Sequence, residues 1–318
     1  MPHHNTPALP PTGNLWRTDQ LLELGYGSRS IRSLLDSGSL VRLRYGCYLR
    51  ASVWNAQSRS VRSRQLIYAH AHGTRTTSTG AFVYSHTSAA RLHRLYLWNV
   101  DDLIHILQPV RPSSERHGKD VRCHTRPFSD HDVTVAGRLR TTSLERTVAD
   151  CTMMLSYRQA LVVMDHALRM GADRSRLQMM ADSLDGHRGV RTFRRVLETT
   201  DVRSESPGET LTRELILRLK IRPPELQVEV TSRIGSHRLD FAWKEEKVAL
   251  EFDGRVKYFD YKPTDEVLFE ERRREKALTE DGWRFVRVEW KDLFNEADFK
   301  NRVLRALAGR SRNAYAPR

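Results

Sequence analysis

Cysteine is scarce in this chain. Cys47, Cys123 and Cys151 are the 3 in 318 residues, far apart and with no C-x-x-C pair, which excludes a disulfide framework and a zinc knuckle and leaves reduced packing residues. Long apolar runs are missing as well. No stretch approaches the roughly 18 consecutive apolar residues of a membrane span, and the opening Met1-Pro2-His3-His4-Asn5 lacks the basic-then-apolar layout of a signal peptide. A cytoplasmic protein without a membrane partner is therefore expected. There is no phosphate-binding glycine loop. His86, His93, His105, His117, His124 and His131 fall at irregular intervals without metal-ligand spacing, which argues against a catalytic or metal role for them.

What is present describes a folded chain with a polyanionic partner. A hydrophobic content of 39% with 6 Trp argues against disorder, and the length allows two or three domains. The net charge of +14 is unevenly distributed: residues 1–200 hold 28 Lys and Arg against 16 Asp and Glu, whereas residues 201–318 hold 25 against 23. An arginine-rich surplus of this kind favours nucleic acid through counterion release. Charge alone does not separate DNA from RNA or from an anionic membrane surface. Without a basic amphipathic helix bearing a Trp/Leu-rich face, the membrane is the weakest of the three.

The surplus accompanies a recognisable pattern at residues 1–57. After Pro7, Pro10 and Pro11, Thr18 can cap a short helix that Gly25 ends. Ser28 can cap a second, with Ile31, Leu34 and Leu35 as its apolar stripe and Gly38 as its stop. Residues 40–49 then alternate apolar and basic around Tyr45-Gly46. Helix, turn, helix and wing make a winged helix-turn-helix. In that arrangement Arg29 and Arg32 face the major groove and Arg42 and Arg44 reach phosphate or the minor groove. The alternative is a small αβ module that its arginines merely solvate. Residues 58–200 read as a mixed α/β region, with helices near 60–71, 85–95, 143–155, 157–170 and 188–197 and strands near 103–108, 121–124 and 133–135.

At residues 201–318 the expected order is α-β-β-β-α-β-α. Ser206-Pro207-Gly208-Glu209 has the form of a capping box with Pro at the first helical position. If Glu245-Glu246 is the tip of a tight turn, Lys244 pairs with Lys247 and Asp240 falls opposite Glu251, their Cβ atoms roughly 5 Å apart. Glu251 and Asp253 share a strand face about 7 Å apart. Opposed like charges are destabilising unless compensated, and a divalent cation held by carboxylate oxygens compensates them. The alternative is a solvated acidic sheet face.

That order, with Leu239-Asp240-Phe241-Ala242-Trp243, Leu250-Glu251-Phe252-Asp253-Gly254, Arg273-Arg274, Gly282 to Val288 and Glu209 at the helix start, resembles the PD-(D/E)XK nuclease superfamily, over roughly the last 115 residues. Within it the resemblance is to domains related to very-short-patch-repair endonucleases. The segment from Leu40 to Tyr48 resembles the winged-helix domain of AbiEi-type antitoxins, and residues 85–90 and 141–150 look like the region that follows it. The overall expectation is a multi-domain α/β protein: winged helix-turn-helix, mixed α/β middle, and a restriction-endonuclease-like domain. The resemblance implies Mg²⁺- or Mn²⁺-dependent DNA cleavage, with Asp240 and Glu251 holding the metal and Glu209 ordering a water. Where the superfamily pattern has Lys, this chain has Asp253, which can take a second metal. Lys257 and, after it, Arg273 are then candidates for the displaced cation. The other function implied is a non-catalytic, antitoxin-like regulator with a possible toxin partner.

Overall fold

The alternating and amphipathic segments form a mixed α/β protein of more than one domain, with twelve α-helices and three sheets among the described residues. The computed structural model describes residues 8–10, 12–74, 82–110, 118–254 and 265–309. Contacts divide the chain into two compact units, residues 1–95 with 100–150 and residues 96–99 with 151–318. The helices from residue 157 to 199 thus belong with the C-terminal sheet, whereas the sequence grouped them with residues 58–150. None of the described helices is long and apolar enough to cross a membrane.

The first unit begins with β1 (Leu15–Arg17), α1 (Thr18–Glu23), α2 (Ser28–Asp36), β2 (Leu40–Arg44) and β3 (Cys47–Arg50), the strands ordered β1-β3-β2. Gly27, not Ser28, occupies the cap position of α2. Gly46, at φ +71°, supplies the left-handed turn between β2 and β3 that a side chain would strain. Trp16, Leu21, Ile31, Leu34, Leu40 and Tyr48 close a small core between the helices and the sheet. Next come α3 (Ala51–Asn55), α4 (Arg59–Thr74), β4 (Val83–Tyr84), α5 (His86–Leu92), β5 (Ile104–Gln108), β6 (Val121–Thr125), β7 (Val133–Ala136), β8 (Leu139–Thr142) and α6 (Leu144–Met154). Their sheet runs β6-β5-β4-β8-β7, with β5 and β6 parallel.

The second unit holds α7 (Tyr157–Arg169), α8 (Arg174–Ser183), α9 (Val190–Thr199), α10 (Pro207–Arg218), β9 (Glu225–Ser232), β10 (Gly235–Trp243), β11 (Val248–Phe252), α11 (Asp265–Glu280), β12 (Arg284–Val288) and α12 (Glu296–Ala308). The sheet order is β12-β11-β10-β9. β11 and β12 are parallel, which requires a crossover, and α11 lies in the connecting segment. One core cluster joins Phe241, Leu250 and Val288 of the sheet to Leu211 and Leu215 of α10 and Phe299 of α12. Each such side chain contributes about 1.5–3 kcal/mol by leaving water. A second cluster joins Leu239, Ala242 and Ala249 to Leu278 of α11.

A buried ion pair fixes α10 against its neighbours. Asp165 of α7 is 1% exposed and Arg213 of α10 is 6% exposed. Arg213 Nη2 donates to Asp165 Oδ2 at 2.7 Å, and the same carboxylate accepts from Thr200 Oγ1, the Asp201 amide and Thr210 Oγ1 at 2.6–2.9 Å. With every oxygen engaged, the buried charges are compensated.

Candidate functional site

The hairpin of β10 and β11 sets the site. Trp243 pairs with Val248, Ala242 with Ala249 and Phe241 with Leu250, so one step further the same register sets Asp240 opposite Glu251. The Lys247 amide donates to the Lys244 carbonyl at 3.1 Å and closes the turn over Glu245-Glu246. Beyond the pair, the Phe252 amide donates to Asp240 Oδ2 at 3.0 Å, and the Asp253 amide continues the parallel pairing by donating to the Val288 carbonyl at 2.8 Å.

Glu209 comes to this place from the first turn of α10. Ser206 Oγ accepts from the Glu209 amide at 3.2 Å and Pro207 opens the helix. The return half of the expected capping box is displaced by one residue. The Glu205 amide, not that of Ser206, donates to Glu209 Oε2 at 2.8 Å, and Gln227 Nε2 donates to the same oxygen at 2.9 Å. A side chain at Gly208 would overlap the ring of Phe252, so only glycine lets the helix start approach β11 this closely.

Gln227 itself is distorted. Its φ is +52°, a left-handed conformation that costs a non-glycine residue about 1 kcal/mol or more. It lies opposite Asp240 between the pairs Leu226–Phe241 and Val228–Leu239, and those flanking pairs fall into different core clusters. Regular alternation would keep them on one face. The break turns the Gln227 amide toward Glu209 and leaves its Oε1 buried without a hydrogen-bond partner.

Charge balance is supplied from α11 and β12. On α11, Arg274 precedes the buried Leu278 by four residues and Glu271 precedes it by seven, so one helix stripe changes from apolar to charged as it reaches the site. Arg274 Nη2 donates to Glu251 Oε1 at 2.6 Å, and Arg287 Nη1 lies 3.3 Å from Glu251 Oε2. Arg287 also pairs with Glu271 and Glu275 at 3.0 and 2.7 Å. Burial, joined by the charge of Glu209, pushes the Asp240 carboxyl up to about 6. Burial also raises Glu209, and it raises Glu251 despite the arginines.

These groups line a cavity of about 170 Å³ that includes Arg238, Asp240, Glu251, Asp253, Arg274 and Arg287. Asp240, Glu251 and Asp253 are thus brought to one opening, with Glu209 close enough to Asp240 to raise it. Lys257 lies outside the described residues. Arg273, the other cation candidate, is exposed and faces Glu270 at 3.7 Å, away from the cavity lining. Its neighbour Arg274 occupies the place instead. The oxygen-only donor set suits a hard divalent cation.

In the first unit Arg29, Arg32 and Arg42 are exposed. Arg32 Nε lies 3.4 Å from Asp36 Oδ2 on the helix surface, and Arg44 is more enclosed: its Nη2 donates to Asp120 Oδ1 at 3.0 Å and its Nε pairs with Oδ2. A larger cavity of about 230 Å³, beside Arg42, Trp54 and Arg59, contains one acid, Asp102, which accepts from Ser63 and Arg91. Three histidines that look scattered in the sequence, His86, His105 and His124, bring their ligand atoms within 4.8 Å of one another. Burial holds His86 well below the ordinary imidazole range and His105 and His124 down to about 4.

No family model matches the chain, and no curated protein matches it. Among solved structures it is similar to the crystal structure of the RV2827C protein from Mycobacterium tuberculosis, at 15% identity over 69% of this chain and 84% of that one, with a TM-score of 0.38. A likeness of that size carries neither fold nor function across.

Proposed function

We propose that the C-terminal domain hydrolyses DNA phosphodiester bonds with a divalent metal, in the manner of the PD-(D/E)XK nucleases, and that a winged helix-turn-helix at the N-terminus binds the DNA. The observation that carries the proposal is the convergence of Asp240 and Glu251 on one cavity with raised carboxyl pKa values. Buried acids that repel one another are a poor structural choice and a useful functional one.

The oxygen chemistry of the residues suits Mg²⁺ or Mn²⁺. Among the described residues, however, the site carboxylates do not form a set of three with ligand atoms within 4.8 Å of one another, and both Glu251 oxygens are paired with arginine. Asp240, Glu251 and Asp253 offer carboxylate oxygens, and the partnerless Gln227 Oε1 is a further buried acceptor nearby. Such an ion polarises the scissile phosphate and lowers the pKa of an attacking water. Glu209, oriented by the Glu205 amide and by Gln227, serves to position that water and, with its raised pKa, to receive a proton. Arg274 and Arg287, both paired with Glu251, are the cations that line the cavity where the superfamily pattern has Lys.

One observation favours a second function. Glu251 is already neutralised by its two arginines, an arrangement that also suits a non-catalytic DNA-binding regulator. Incubation of the purified chain with duplex, single-stranded and mismatched DNA, with and without Mg²⁺ or Mn²⁺, separates the two. The nuclease cleaves only with metal and loses cleavage in Asp240→Ala and Glu251→Ala variants that still fold. DNA binding without metal-dependent cleavage on any substrate establishes the regulator.

A further inference from the structure

We propose that His86, His105 and His124 form a three-imidazole binding site for a late first-row divalent cation, Zn²⁺ in particular. The site belongs to the first unit and does not rest on the nuclease proposal.

Topology assembles it. In the parallel pair β5–β6, His105 lies beside Arg122 and Leu107 beside His124, so His105 and His124 project from the same sheet face, one diagonal apart. His105 Nδ1 and His124 Nε2 are 2.9 Å apart. The third ring arrives from the start of α5, where His86 stacks on His124 with ring centroids 3.6 Å apart. Two bonds dock that helix start on β5: the Ser85 amide donates to the His105 carbonyl at 3.1 Å, and the His105 amide donates to Ser88 Oγ at 2.8 Å.

Three features distinguish this cluster from ordinary packing. His86 has φ +48°, a left-handed conformation that β-carbon-bearing residues adopt at a penalty and that collects at functional sites. The outer nitrogens of two rings have polar neighbours placed as supports for metal ligands. His86 Nδ1 lies 2.9 Å from Ser85 Oγ, which leaves Nε2 for a ligand. His105 Nε2 is buried without a hydrogen bond, 3.8 Å from Asp101 Oδ1. A metal on Nδ1 requires the proton on Nε2, facing that carboxylate, which is the carboxylate–histidine–metal relation. Finally, the donor set contains only nitrogen. It selects Zn²⁺, Co²⁺, Ni²⁺ or Cu²⁺ over Mg²⁺ and leaves a fourth tetrahedral position for water or another ligand. Of the arginines facing the cluster, Arg146 is paired with Asp132 and Asp150, and Arg122 and Arg126 are exposed to solvent.

Co²⁺ titration of the full chain in excess Mg²⁺, followed by its visible d–d absorption, tests the site. One equivalent of Co²⁺ is expected to give tetrahedral bands that Zn²⁺ abolishes. His86→Ala, His105→Ala and His124→Ala each weaken binding at least about tenfold, whereas Asp240→Asn leaves the bands unchanged. Asp101→Asn alters a half-exposed side chain, so it keeps the test open if a histidine variant fails to fold. It is expected to weaken Co²⁺ by about tenfold with the fold intact. Absence of the bands in the wild-type chain overturns the proposal. So does their persistence at full strength in folded His124→Ala or Asp101→Asn protein.

Discussion

Arg274 Nη2 lies 2.6 Å from Glu251 Oε1, joining a helix to the strand acid it faces, while its Nη1 donates to the Arg238 carbonyl at 3.2 Å. The guanidinium therefore does two things that a lysine could do only in part: it cancels a buried carboxylate and ties α11 to β10. Arg274→Ala is expected to destabilise the protein by about 2 kcal/mol, since Glu251 keeps only Arg287. Arg274→Lys loses less, because the charge remains. Urea unfolding of both variants checks the order, and equal loss for Ala and Lys contradicts it.

Asp240 gives the site a pH signature of definite sign. Its carboxyl rises from 3.8 to about 6 on folding. The folded state therefore binds the proton more tightly than the unfolded chain, and this contribution is fully present below about pH 4 and lost as pH rises through about 6. Relative to Asp240→Asn, the wild-type protein is expected to lose roughly 2 kcal/mol between those limits in metal-free buffer. Denaturation at several pH values measures the difference. A wild-type protein that gains on the variant as pH rises would show that the carboxyl is not raised.

The Asp165–Arg213 pair lies outside the cavity lining and yet holds the helix that carries Glu209. Asp165→Ala strands Arg213 and leaves Thr200, Thr210 and the Asp201 amide without their acceptor, an expected loss of about 3–5 kcal/mol. Asp165→Asn keeps part of the network and loses less. Calorimetric unfolding provides the test, and a change below about 1 kcal/mol in the Ala variant would contradict the assignment.

For DNA, the arginines divide. Arg29→Ala combined with Arg32→Ala is expected to weaken binding and lower the salt slope, because two charges are lost from the helix proposed to face the major groove. Arg44→Ala, by contrast, removes the partner of Asp120 and acts mainly on stability. Binding isotherms at several salt concentrations, read beside melting curves, separate the two. Unchanged affinity and slope in the Arg29/Arg32 variant would exclude α2 as a DNA-contacting helix.

Much of the C-terminal sheet was legible because its strands are bounded by readable breakers and the turn between β10 and β11 could be counted. The same count from Lys244 and Lys247 predicts the opposition of Asp240 and Glu251. Of the two cation candidates, Lys257 lies outside the described residues, and Arg273 is one position from the helix face that meets Glu251. Arg274 reaches Glu251 through helix periodicity, and its position four residues before Leu278 was the signal available. The left-handed Gln227 has no sequence mark. α8 escaped notice because its buried face is only Leu177 and Ala181, although Asp173, whose side chain accepts from the Ser175 and Arg176 amides, was a readable cap. The histidine cluster stayed hidden because parallel pairing of β5 with β6 joins residues whose spacing along the chain carries no period.

The absence of a side chain at Gly208 has a mechanical consequence. Where helix backbone rests directly on the Phe252 ring, there is no compressible layer between α10 and β11, and the contact acts as a hard stop. Repacking elsewhere in the core can tilt or loosen the far end of α10, but the end that carries Glu209 can advance no further toward β11. Gly208 thus sets the gauge of the cleft, and a single added methyl there is expected to widen it from one side.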